Sequence, residues 1–228
     1  QSMMGTKPSI VMEVFEAPGL NSLWIFFIFG LIVGFAGIVF NRILMAVLSW
    51  MDRQKFSTRV VYVASVAVSV GILTSVWPNA VGGGYHIIAQ SLTFTPGLMM
   101  LLALLVIRFV MTMLCYGTGV PGGVFAPMLA LGTLLGLTVA MIFEYFLPGV
   151  ALHPGMLAVA GMGALFSAAV RAPITGIVLV VEMTQNYAMI LPLMIACLTA
   201  TTVVQLAGVP PIYTQLLRRT LNNAHHHQ

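Results

Sequence analysis

The sequence predicts an all-α, polytopic membrane protein in which long apolar helices alternate with shorter, broken ones. Three observations predict it. Hydrophobic residues make up 60% of the 228 residues and charged residues only 6%, with a mean hydropathy of +1.04. A soluble domain carries about 25% charged residues. Apolar runs long enough to cross a bilayer, roughly 20 residues, recur along the chain. Glycine and proline then cut the last third into apolar pieces of about 12 to 18 residues, the pattern of half-helices around a site at the membrane midplane.

Taken in order, Gln1–Pro18 is polar to mixed, with Glu13 and Glu16 in it, and reads as a connector or as a segment at the membrane interface. Its polar start has no hydrophobic core region, so no signal peptide is read there. With no initiator methionine, the chain is expected to be a processed or partial one. Asn21-Ser22 offers an N-cap for an apolar run from Leu23 to about Trp50, long enough for a tilted helix. Asp52, Arg53, Lys55 and Arg59 form a hydrophilic turn before a second helix, Val60–Trp77, which Pro78-Asn79 ends. Gly82-Gly83-Gly84-Tyr85 reads as a tight connection, and Ile87–Leu92 is too short to span. Helices are then expected at Leu98–Tyr116, Phe125–Phe146, Pro154–Val170, Pro173–Thr184 and Ile190–Ala207, with a last one opened by Pro210-Pro211 and ending near Arg218-Arg219. The domain reading is a connector over residues 1–20, a transmembrane domain over 21–220 and a polar tail or tag remnant over 221–228.

The net charge of +4 lies in loops and sets topology; no basic tract interleaved with aromatics points to nucleic acid. Arg53, Lys55 and Arg59 in one loop and Arg218 and Arg219 near the end should share the cytoplasmic face. That requires an even number of net crossings between them. Cys115 and Cys197 both fall in apolar segments without metal-like spacing and read as small buried hydrophobes.

The stretch from Gly117 to Pro127 interrupts otherwise continuous apolar sequence with four glycines and two prolines. In a membrane, irregular backbone survives only where protein buries it or where it lines a watery cavity. Pro127 fits the first turn of a helix that begins at about Val124 or Phe125. The first N–H groups of that helix lack intrahelical partners and carry the positive end of its dipole. No acidic residue lies in the loop. The arrangement reads as an anion site made of backbone amides inside a membrane.

Arg108, Glu144, Arg171 and Glu182 are the ionisable groups in or beside apolar runs. An unpaired charge at a helix centre costs about 2.5 kcal/mol or more. Arg171 and Glu182 are therefore expected to be buried pairs or to bond to carbonyls at helix breaks, in preference to forming an ion pathway. Glu144, followed by Pro148-Gly149, is expected near a membrane face, and Arg108 is left open. Tyr213, taken alone after two prolines, reads as an interfacial anchor. His86 and His153 lie only at the ends of apolar runs, and no Ser–His or Asp–Asp constellation supports an intramembrane enzyme.

The run Gly119-Val120-Pro121-Gly122-Gly123-Val124-Phe125-Ala126-Pro127 resembles the third anion-binding signature of the CLC chloride channels and chloride–proton antiporters, G-x-F-A-P. Met128-Leu129-Ala130-Leu131-Gly132 continues the likeness. Gly161-Met162-Gly163-Ala164-Leu165, Arg171-Ala172-Pro173-Ile174-Thr175-Gly176 and Glu182-Met183-Thr184 resemble the family's later helices, and Tyr213 falls where the family has its central tyrosine. The resemblance runs from about Leu20 to Thr220 and is close to the bacterial antiporter branch.

This resemblance implies the second half of an inverted-topology repeat, with re-entrant and broken helices, in a multi-pass protein of the bacterial inner membrane. It implies a homodimer with one anion pathway per subunit, completed by the N-terminal half of the same protein. By carry-over, the N–H groups of Val124 and Phe125 and the hydroxyl of Tyr213 would bind chloride, with Gly122, Gly123, Ala126 and Pro127 as the supporting loop. Chloride and protons are the implied substrates, no cofactor is implied, and the implied activity is H+/Cl− exchange; passive conduction is the alternative. The family's serine motif G-S-G-I-P and its glutamate motif G-R-E-G-P are absent from this sequence, and Glu182 matches neither proton-transfer glutamate. Taken strictly in isolation, the chain is expected to fold without transporting.

Overall fold

The computed structural model describes residues 18–78, 97–119, 123–146 and 153–225. Among them are eight α-helices: α1 Leu23–Asp52, α2 Phe56–Val76, α3 Leu98–Gly117, α4 Phe125–Phe146, α5 Pro154–Val170, α6 Pro173–Thr184, α7 Ile190–Leu206 and α8 Ile212–His225. Short 3₁₀ turns over Leu20–Ser22 and Tyr187–Met189 lead into α1 and α7. Five helical segments are long and apolar enough to cross a membrane, while α5 and α6 are shorter apolar helices. The glycine run at 82–84, the segment 87–92 and Val120–Gly122 lie outside the described residues.

The centre of the bundle is α5. It is apolar on every side, and fourteen of its residues, from Gly155 to Ala169, are buried. A helix without a polar face is stable only where neighbours cover it all round. Those neighbours are α4, α7, α1 and α6. Small residues make the close approaches possible, because apolar lipid provides little drive and backbone proximity carries the packing. Gly30, Gly34 and Gly37 form a stripe along α1. Gly30 and Gly34 meet Ala196, Thr199, Ala200 and Val203 of α7, and Gly37 meets Ala168 of α5. Gly132 and Gly136 of α4 lie against Gly161 and Leu157 of α5, antiparallel. By contrast α2 is peripheral: only Val66 is buried, and the Tyr62 hydroxyl donates to the carbonyl oxygen of Leu114 at 2.9 Å.

Two carbonyls at the C-terminus of α5 find donors inside this apolar setting. Arg171 N–H and Thr201 Oγ1 donate to Ser167 O, at 2.8 and 3.2 Å, and Asn41 Nδ2 donates to Ala169 O at 3.2 Å. Arg171 takes the left-handed conformation, φ 61°, and its Nη2 donates to Val204 O at 3.4 Å. Carbonyl bonding at a helix break is what the sequence led us to expect of Arg171.

Three expectations need correction. Ser22 occupies the N-cap position of α1, yet its hydroxyl donates backward to Gly19 O at 2.7 Å and caps nothing. The last helix runs beyond Arg218-Arg219 to His225, because Leu221, Asn222, Asn223 and Ala224 contain no breaker. Glu182 is exposed, since it lies on the outer side of α6 away from the buried Val180 and Val181. Glu144 is exposed in the last turn of α4, and Arg108 is the one charged side chain among the described residues that is buried, 2% exposed.

Candidate anion site at the head of α4

The first helical residue of α4 is Phe125, and the first bond of the new helix runs from Met128 N–H to Val124 O at 3.2 Å. Pro127 has no N–H to give. Among the described residues, the N–H groups of Val124, Phe125 and Ala126 therefore have no backbone acceptor. These are the orphan donors of a 22-residue helix, at the positive end of its dipole. The helix is buried along most of its length from Met128 to Ala140, and its head leads directly into that buried stretch. Val124 is buried, Phe125, Ala126 and Pro127 are half-buried, and Gly123 is exposed.

The Phe125 ring packs edge-on against Phe166 of α5, with centroids 5.5 Å apart and planes at 83°. The ring is thus turned into the core and the backbone is left for other contacts. The approach to this point comes from α3, whose end is closed by Thr118 and Gly119, N–H to Cys115 O and Tyr116 O. Gly119, φ 73°, turns the chain in a conformation that favours glycine.

Tyr213 sits in the first turn of α8, directly after the buried Ile212, and is half exposed. Gly122 lies outside the described residues.

One relationship was missed from the sequence. The basic residues near both chain segments read there as topology charge alone, whereas Arg219 forms a bidentate pair with Asp52, Nε–Oδ2 2.6 Å and Nη2–Oδ1 2.7 Å. No periodicity or motif links residues so far apart in sequence. The pair does place the two basic segments at one end of the molecule, as an even number of crossings requires.

The spanning helices and the broken, centrally buried ones define a multi-pass membrane protein. Comparison with known proteins gives the family. The family described as "Voltage gated chloride channel" matches residues 1–205, and the chain belongs to it. The H(+)/Cl(-) exchange transporter ClcA of Vibrio parahaemolyticus is 43% identical over 230 residues, covering 98% of this chain and 48% of the relative. The transporter of the same name from Yersinia pestis is 42% identical over 214 residues, covering 92% of this chain and 45% of its own length. Among solved structures, a slow cyanobacterial Cl-/H+ antiporter superposes with a TM-score of 0.91 at 38% identity, over 97% of this chain and 52% of that one. A CLC-type fluoride/proton antiporter superposes with a TM-score of 0.71 at 21% identity, over 89% and 49%, a likeness of fold alone. The chain spans about half the length of the curated relatives it matches.

Proposed function

We propose that this chain is the anion-binding second half of a proton-coupled chloride transporter, the N-terminal half of the same protein supplying the other wall of the pathway. The observation that carries this reading is the head of α4: the N–H groups of Val124, Phe125 and Ala126 have no backbone acceptor among the described residues, at the start of a helix whose body is buried in the membrane bundle. Backbone amides and a helix dipole favour an anion without any fixed positive charge. The Tyr213 hydroxyl adds a second neutral donor from α8. Neutral donors hold chloride firmly enough for it to enter and weakly enough for it to leave. The relatives' names support exchange over passive conduction.

On this reading chloride and protons are substrates, no cofactor takes part and no bond is made or broken in the cargo. The protein is a homodimer in the bacterial inner membrane. The apolar outer surface of α6 and α7, where Ile174, Val178, Leu191, Met194 and Leu198 are exposed, is the face on which a second copy would pack.

The test is chloride efflux from liposomes recorded with a pH electrode, for this chain alone and together with the N-terminal half. The expected result is proton-coupled chloride movement from the combination only. Chloride movement without protons would make the assembly a channel. Conduction by the chain alone would overturn the need for a second half.

A further inference from the structure

We propose that the Asp52–Arg219 ion pair is a positioning clamp that sets the rotation of α8 and, through it, the direction of the Tyr213 hydroxyl; this rests on the reading of Tyr213 as an anion ligand. The pair is bidentate, 2.6 and 2.7 Å, and both side chains are about three-quarters withdrawn from solvent, 24% and 28% exposed. A guanidinium fork on a carboxylate fixes orientation as well as distance.

Asp52 is a firm anchor. It is the last residue of α1, and its carbonyl oxygen accepts from Arg59 Nη2 at 2.7 Å while Arg59 Nε donates to Gln54 O at 3.1 Å. The clamp thus ties α8 to a turn that the start of α2 already braces.

Helix geometry explains why the tie controls Tyr213. Seven residues make almost two turns, so Ile212 and Arg219 lie on one stripe of α8, within about 20° of each other. Ile212 is fully buried, and Leu216, between them, packs against the core. Tyr213 stands about 100° round from that stripe. A helix held at both ends of one stripe resists turning about its axis, which fixes the Cα–Cβ direction in which the Tyr213 side chain leaves α8.

Without Arg219, only the first turns would hold. The connection before α8 contains Gly208, φ 68°, then Pro210 and Pro211, and Gln215 Nε2 bonds back to Pro210 O at 2.6 Å. Beside the clamp lies an open cavity of about 500 Å³, bordered by Met45, Ser49, Asp52, Arg53, Arg218 and Asn222. Among the described residues, then, open volume adjoins α8 on both sides of the ion pair, from Gln215 to Asn222.

The experiment uses this chain combined with the N-terminal half and compares Arg219→Gln, Asp52→Asn and the swap Asp52→Arg/Arg219→Asp. Chloride affinity is measured by calorimetry on the monodisperse fraction. The Tyr213 environment is read from the ¹⁹F resonance of fluorotyrosine-labelled protein, assigned by its loss in Tyr213→Phe. Each single variant is expected to shift that resonance and weaken chloride binding about three- to tenfold, the scale of one misdirected donor. The swap is expected to recover most of both. If Arg219→Gln does not fold, the near-isosteric Asp52→Asn decides. Folded single variants with unchanged affinity and resonance overturn the clamp, as does a folded swap that restores neither. If the resonance moves but Tyr213→Phe leaves affinity unchanged, the clamp stands and the anion role of Tyr213 falls.

Discussion

Gly132 and Gly161 meet backbone to backbone where α4 crosses α5, and the carbonyl oxygen of each fills the space a Cβ on the other would need. The crossing fixes where the head of α4 sits relative to the central helix. Overpacking usually costs about 1–3 kcal/mol, and more where backbone is the obstacle. Gly132→Ala and Gly161→Ala are each expected to destabilise by about 3 kcal/mol or more, since no flexible side chain can give way. Thermal unfolding in detergent checks this; an unchanged midpoint for either would show that the helices separate at little cost.

Tyr213→Phe removes one hydroxyl and leaves the ring. One neutral donor is worth about 0.5–1.5 kcal/mol, so chloride affinity should fall between about twofold and tenfold. Calorimetry on the combined halves measures it, with the folded state checked by gel filtration. An unchanged affinity would remove Tyr213 from the site.

The architecture was readable because membrane helices announce themselves by composition. The bounds of Phe125–Phe146, Pro154–Val170 and Pro173–Thr184 could be read from the residues, since proline and glycine mark the breaks and apolar runs fill the intervals. The head of α4 was legible for the same reason: a Gly/Pro stretch ahead of Pro127 leaves a helix start little choice. The side of a helix that faces out was harder. Glu182 sits in an apolar run but on its outer side, and hydropathy averages over faces. The Asp52–Arg219 pair was invisible, because it depends on how α1 and α8 come together and not on any local pattern.

Phe125→Ala separates side chain from backbone. The ring packs edge-on against Phe166, a contact worth about 0.5–1.5 kcal/mol beyond simple burial. The amide that faces the proposed anion stays in place. Stability is expected to drop by about 3 kcal/mol, in the range of a partly buried Phe→Ala change, while chloride affinity changes less than twofold by the measure of the Tyr213 experiment. A large loss of affinity in protein that still folds would mean that the ring itself contacts the anion.

Arg171 and Gln185 share a backbone conformation, φ 61° and φ 54°, at the ends of α5 and α6, and should respond to glycine with opposite signs. A left-handed residue with a Cβ costs about 1–2 kcal/mol, which glycine avoids, against about 0.5–1 kcal/mol for the greater freedom of glycine in the unfolded chain. At Gln185 the side chain is exposed and contributes one bond, Nε2 to Glu182 O at 2.9 Å, which water can replace. Gln185→Gly is therefore expected to stabilise by about 0.5 kcal/mol. At Arg171 the guanidinium reaches across to Val204 O from a half-buried position, and water has poor access to take its place. Arg171→Gly is expected to destabilise by about 1 kcal/mol, because a bond to a charged donor is lost along with the aliphatic packing. Unfolding midpoints of the two variants, measured side by side, decide: a gain at both positions would show that the Arg171 side chain adds nothing to the break between α5 and α6.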